Sequence, residues 1–131
     1  MKDIKMILMM VYLVFSQKKK KNWIKVITLD NFIKIRKINK IDFIKIDVEG
    51  AEALVLNGSK NTIRKFKPVI QLEFNKLTEI LGNKKISYFQ KFAKKFDYKI
   101  FYLVKNYKLR EKINLKKDFF SDLILISRKN K

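Results

Sequence analysis

Residues 41–52 read Ile41-Asp42-Phe43-Ile44-Lys45-Ile46-Asp47-Val48-Glu49-Gly50-Ala51-Glu52, and this stretch decides the fold class. Ile41 to Val48 is β-branched or aromatic at almost every second position, with little polar interruption. A strand of a parallel sheet covered by helices has that composition. Asp47 and Glu49 fall at its carboxyl end, where open α/β sheets place their ligands. Glu49-Gly50 then starts an apolar-periodic stretch expected to be helical. Two acids at that junction admit two readings. They form a site, or they cap the following helix, whose dipole favours anions.

The neighbouring segments extend this pattern. Val26 to Thr28 reads as extended, and Thr28 or Asp30 is placed to cap a short helix carrying Phe32, Ile33 and Ile35. Beyond the strand, a helix with Ala51, Leu54 and Val55 on one face is stopped by Asn57-Gly58. Ser59 is placed to cap a second short helix ending near Phe66, and Pro68 opens a strand from Val69 to Phe74. A helix beginning at Asn83 or Ser87 carries Ile86, Phe89, Phe92 and Phe96 at helical spacing as core aromatics. Asp97 ends it, and Asp tolerates a left-handed helix end at some cost. Lys99–Val104 and Phe119–Ser127 read as the last two strands, a hairpin joined by the polar connection Lys105–Asp118.

These blocks also carry a family resemblance. Thr28-Leu29-Asp30-Asn31-Phe32, the 41–52 stretch, Leu56-Asn57-Gly58, Lys67-Pro68-Val69-Ile70 and Glu73 follow in an order and spacing that resembles FkbM-type methyltransferases. The resemblance runs from about Val26 to Phe74 and continues more weakly to about Ser127. It implies an α/β fold: a truncated Rossmann-like class I methyltransferase sheet, with parallel strands plus a C-terminal antiparallel hairpin. It also implies S-adenosylmethionine as cofactor and a hydroxyl of a sugar or small metabolite as methyl acceptor. The expected order puts strand 41–48 beside 69–74, with 119–127 antiparallel next and 99–104 outermost. Helical stretch 50–66 supplies the right-handed crossover of the parallel pair. The missing first strand would leave the 41–48 edge bare, so the Ile4–Phe15 segment, another chain or a partner polypeptide must cover it.

The sequence departs from the family in one respect. Such enzymes begin with a strand, a glycine-rich turn and a helix that hold the methionine end of the cofactor, and an acid after the second strand holds the ribose. Here the glycines are Gly50, Gly58 and Gly82, with no G-x-G spacing. A turn that lets backbone approach a cofactor cannot be built from them. The cofactor-binding residues are therefore unassigned. Residues 26–131 are expected to form the C-terminal part of the domain, with 1–25 outside the resemblance. One function reading is a methyltransferase or an inactive fragment of one. The other is a non-catalytic α/β module that binds a partner or completes a split enzyme.

On either reading the chemistry centres on four side chains. Asp47 and Glu49 are the catalytic candidates, because a carboxylate can orient a hydroxyl, accept its proton and favour a nearby sulfonium. Lys45 shares a strand face with Asp47, so an ion pair or an exit to solvent at a sheet edge accounts for it. Glu73 ends the next parallel strand and is expected across the crevice; Lys45 and Glu73 are the substrate-side candidates. Carboxylates so grouped could hold a divalent cation, but nothing in their spacing requires one and no metal is assigned. Glu52, in the first helical turn, is expected only to complement the helix dipole.

Composition narrows the classes. The 131 residues are 47% hydrophobic, which excludes disorder throughout. The absence of cysteine and histidine removes disulfides, thiol chemistry and Cys/His zinc sites, and fits a cytoplasmic setting. The net charge of +20 rests almost wholly on Lys, with Arg only at 36, 64, 110 and 128. Without an Arg cluster, a solvated basic surface is expected rather than a specific nucleic-acid site. Ile4 to Phe15 is apolar except for Lys5, and Lys18–Lys21 follows. Spanning a bilayer needs about 20 apolar residues. The segment therefore reads as a strand or short helix covering apolar surface, with membrane contact through 4–21 as the lesser alternative.

Overall fold

The computed structural model describes residues 6–10, 26–104, 107–112, 114 and 120–129. In chain order the elements are β1 (Met6–Met10), α1 (Leu29–Ile35), β2 (Phe43–Asp47), α2 (Glu52–Asn57), α3 (Lys60–Phe66) and β3 (Val69–Glu73). They continue with α4 (Lys76–Gly82), α5 (Ile86–Phe96), β4 (Tyr98–Val104), β5 (Lys108–Arg110) and β6 (Phe120–Ser127). The strands form one mixed sheet in the order β1-β2-β3-β6-β4-β5.

The parallel pair is the expected one: β2 and β3 align with Phe43 opposite Val69 and Ile46 opposite Leu72. β6 lies antiparallel to β3, with Glu73 opposite Asp122, and β4 lies antiparallel to β6. One part of the expected order is corrected. The 105–118 connection contains β5, which pairs with β4 and takes the outermost place. Three residues with no clear alternation give too short a pattern to read from sequence. At the opposite edge, β1 pairs parallel with β2, Met6 opposite Phe43 and Met10 opposite Asp47. Part of the Ile4–Phe15 segment thus covers the edge that β2 would otherwise leave bare. Residues 4, 5, 11–15 and Phe119 lie outside the described residues.

Burial alternates along β2 and β3, with Ile44, Ile46, Ile70 and Leu72 almost wholly buried. They join α1, α2, α3 and α5 in one core, where Phe89, Phe92 and Phe96 fill the α5 side as expected. Tyr98 is also buried there; its hydroxyl donates to the Pro68 carbonyl at 2.8 Å, and burial pushes its phenol well above the usual range. No helix among the described residues is long and apolar enough to cross a membrane.

The helix caps revise several expectations. Thr28 does cap α1, accepting from Asn31 N at 3.2 Å. Asp30 instead caps α3: its carboxylate accepts from Asn61 N, Thr62 N and Thr62 Oγ1 at 3.0, 2.8 and 2.7 Å. Ser59, the expected cap, turns its hydroxyl back to Val55 O. A better acceptor arriving from α1 displaces the local one. Of the face expected for α2, Ala51 and Val55 pack against the core, but Leu54 does not. Leu54 is 72% exposed, while Glu52, Ala53 and Leu56 are buried. Between β3 and α5 stands a helix the sequence reading did not assign, α4, fixed by a reciprocal Asn75–Thr78 capping box. Asn83 ends α4 in a left-handed conformation, and α5 begins at Ile86, three residues after Asn83 and one before Ser87. Asp97 ends α5 left-handed, at φ 62°, as expected.

Candidate functional site

Because β2 and β3 run parallel, their carboxyl ends meet, and each ends in an acid, Asp47 and Glu73. The chain then reverses sharply after β2. Glu49 and Gly50 lie at φ 48° and 101°. Glycine takes that conformation freely, while for a residue such as Glu49 it costs about 1 kcal/mol. Gly50 has a second reason to lack a side chain. A Cβ there would lie 2.7 Å from Leu81 Cβ and 2.8 Å from Gly82 N, and one on Gly82 would overlap the Gly50 carbonyl. The last turn of α4 is thereby pressed onto the reversal that carries Glu49.

The capping reading of Asp47 and Glu49 is overturned by this turn. α2 begins at Glu52, not Gly50, and its cap residue Ala51 contributes no side-chain bond. The free N–H groups are taken by Glu52 itself, whose Oε1 accepts from Gly50 N at 3.1 Å and Val48 N at 3.4 Å. Glu52 is only 2% exposed. It braces the turn rather than merely complementing a dipole. The sequence held a signal for this role: a second acid just after a strand-ending Glu-Gly, in a strongly basic chain.

With the turn braced by Glu52, the other acids are left to face one another. One carboxylate oxygen each of Asp47, Glu49 and Glu73 lie within 4.8 Å of one another. Lys45 sits beside them, its Nζ 3.1 Å from Asp47 Oδ2, so the ion pair read from the shared strand face is formed. Glu73 Oε1 accepts from Asn75 Nδ2 at 2.8 Å. Glu73 Oε2 is buried and meets no hydrogen-bond donor among the described residues. Burial pushes the Glu73 carboxyl above its ordinary range, and Asp47, Glu49, Glu52 and Asp122 push it further. Asp122 joins this end of the sheet through its register with Glu73 and accepts from Gln71 Nε2. Neither Asp122 nor Gln71 was singled out from sequence, since only the β3–β6 pairing brings them near.

Chemically, this is a concentration of negative charge in a chain of +20. It suits a cation: a sulfonium, or a divalent ion taking one oxygen from each of Asp47, Glu49 and Glu73. A separate cleft of about 600 Å³ between α1 and α3 is lined by Lys34, Lys37, Lys65 and the already bonded Asp30, and none of the clustered acids reaches it.

The sequence matches the Methyltransferase FkbM domain over residues 16–108, more than half of the chain. The chain belongs to the FkbM methyltransferase family. No curated protein and no solved structure matches it. Within this FkbM domain, the matched span contains Lys45, Asp47, Glu49 and Glu73, while Asp122 and β6 lie beyond it.

Proposed function

We propose that this chain serves S-adenosylmethionine-dependent O-methylation of a sugar or small-metabolite hydroxyl, as part of a truncated Rossmann-like class I methyltransferase sheet. The observation that carries this reading is the meeting of Asp47, Glu49 and Glu73 at the carboxyl ends of parallel β2 and β3 in an FkbM-family chain. That end of a parallel sheet is where such folds hold their ligands.

The fit to the cofactor is partial. The carboxylates suit its positive sulfonium centre. Its methionine end has no holder among the described glycines, because Gly50 and Gly82 pack on each other and Gly58 packs on Thr28. When bound, the cofactor supplies an electrophilic methyl group. The chain's own residues orient the acceptor and handle its proton. Asp47 and Glu49 hold the acceptor hydroxyl in line and accept its proton, with Lys45 fixing Asp47. Glu73, whose proton affinity burial raises, lies on the substrate side and can store that proton.

Calorimetric titration with S-adenosylmethionine and S-adenosylhomocysteine tests the reading. The two differ in the charged sulfur that the carboxylates would face. S-adenosylmethionine should bind weakly but more tightly than the neutral compound, and Asp47→Asn with Glu49→Gln should erase the difference. Equal binding of the two compounds, or a preference that survives the double substitution, rejects the reading. The missing holder for the methionine end favours a second reading, a non-catalytic module that completes a split enzyme. Methyl transfer that appears only when a separate glycine-rich half is added would select it.

A further inference from the structure

α1 and α3 pack side by side over the core, tied at their starts by the Asp30 carboxylate. The cleft of about 600 Å³ between them reaches the turn that ends α1, where Lys37 lies at φ 50° and Ile38 N donates to Ile33 O at 3.1 Å. Its floor is apolar: Ile33 belongs to the core, and Ile38 and Phe66 pack against it. Its rim is cationic. Lys34 and Lys37 come from α1 and its turn, Lys65 from α3, and all three are exposed. Among the described residues none of these ammoniums is ion-paired. Asp30, the acid among the described lining residues, has both oxygens bonded to α3 donors. Lysines in the last turns of α1 and α3 suit the helix dipoles. That accounts for their positions along the chain, but not for three of them lining one cleft from two elements.

We propose that this cleft binds an organic phosphate, a small molecule with a multiply charged anionic head and a compact organic body. Lysine holds phosphate as a point charge, without the fixed planar geometry an arginine imposes. A bare inorganic anion would leave the apolar floor uncovered. Pockets of roughly 300–1,000 Å³ ordinarily enclose most of a small organic molecule. Ile33, Ile38 and Phe66 offer that body an apolar surface. Asn31 and Asn61 line the same cleft with carboxamides that both donate and accept, as hydroxyls or ring nitrogens require. The neighbouring arginines are engaged elsewhere, Arg36 over the Phe32 ring at 5.8 Å and Arg64 over the Phe96 ring at 5.0 Å. Neither lines the cleft, which argues for a small anion over a nucleic-acid strand. The chain's net charge of +20 draws such an anion to the surface. Asp47, Glu49 and Glu73 do not line this cleft, so the inference does not depend on the transfer reading.

The test titrates the full chain by calorimetry at physiological salt. Adenosine diphosphate and glucose 6-phosphate are the organic phosphates, adenosine and glucose their uncharged counterparts, and pyrophosphate the charge without a body. At least one organic phosphate should bind saturably, one to one, about tenfold tighter than its uncharged counterpart and than pyrophosphate. Whichever of the two binds tighter assigns the body as nucleoside or sugar. Lys34→Gln with Lys37→Gln and Lys65→Gln should weaken that binding about tenfold or more. Lys91→Gln with Lys95→Gln and Lys108→Gln, an equal charge change on exposed positions of α5 and β5, should not. In the unaltered chain the bound ligand should slow acetylation of Lys34, Lys37 and Lys65 but not of Lys91, Lys95 and Lys108. That measurement keeps the test decisive if the triple variant fails to fold. Asp47→Asn with Glu49→Gln should leave this binding unchanged. The proposal is overturned by the absence of saturable binding, by pyrophosphate binding as tightly as both organic phosphates, or by equal weakening from the two lysine sets. Protection spread evenly over both sets, or binding lost with Asp47→Asn and Glu49→Gln, overturns it as well.

Discussion

Asp30 and Glu73 show two uses of a carboxylate in one small protein. Asp30 joins α1 to α3 and has three donors on its two oxygens. Glu73 has one donor on Oε1 and none among the described residues on its buried Oε2, and burial, followed by a surrounding group of acids, raises its affinity for a proton. A fully bonded carboxylate holds elements together. A crowded, half-bonded one costs stability, and a bound cation or proton is what would relieve it. Glu52 belongs with Asp30: it is the most buried of these acids and spends itself on the Val48–Gly50 turn.

The contrast predicts a ranking of stabilities, measurable by urea unfolding. Glu52→Ala should have the largest effect, a loss of about 3 kcal/mol, because two N–H donors of a buried turn lose a charged acceptor. Glu52→Gln keeps an acceptor and should cost about half as much. Asp30→Ala should follow with about 1.5 kcal/mol, the usual scale for a lost helix cap. If Asp30→Ala proves neutral, the α1–α3 tie is decoration and the contrast loses one side.

Glu73 should respond in the opposite direction. Its ordinary carboxyl range lies near about 4.3, and its folded-state value is raised. The native state therefore binds the proton more tightly than the unfolded chain. Stability should fall as pH rises from the unfolded value through the folded one, and the full penalty should stand above that. Glu73→Gln removes the charge, so it should flatten this fall and leave stability near neutral pH unchanged or about 0.5 kcal/mol higher. A pH profile identical in the two proteins would show that neither burial nor the neighbouring acids raise the Glu73 carboxyl.

The sequence made one side of this contrast far more legible than the other. The 41–48 strand, its parallel partner and the meeting of Asp47, Glu49 and Glu73 are visible because strand ends and alternation are local properties. The α5 aromatics are visible for the same reason. What escaped depends on distant contacts. Ser59 looks like a cap for α3 until Asp30, far back in the chain, reaches Thr62. Glu52 looks like an ordinary first-turn acid until the left-handed Glu49–Gly50 reversal turns two N–H groups towards it. α4 went unassigned because Leu77, Ile80 and Leu81, though helically spaced, point outward at 55%, 63% and 53% exposure. Its capping box, buried Thr78 and the Gly50–Gly82 contact help to hold it in place.

The smallest effect is expected at Lys45. Its ion pair with Asp47 is short, at 3.1 Å, but the two side chains are 38% and 36% exposed, so water screens much of their attraction. Exposed pairs of this kind contribute about 0.5 kcal/mol, and salt reduces that further. Lys45→Ala should therefore cost about 0.5 kcal/mol in dilute buffer and less at high salt. Its effect on ligand should be larger than its effect on folding, because it removes the ammonium ion-paired to Asp47. Without that ammonium the cluster is more negative, so S-adenosylmethionine should gain affinity relative to S-adenosylhomocysteine. A stability loss as large as that of Asp30→Ala, insensitive to salt, would place the Lys45–Asp47 pair among the structural carboxylates. The acids at the end of β2 would then need no ligand to account for them.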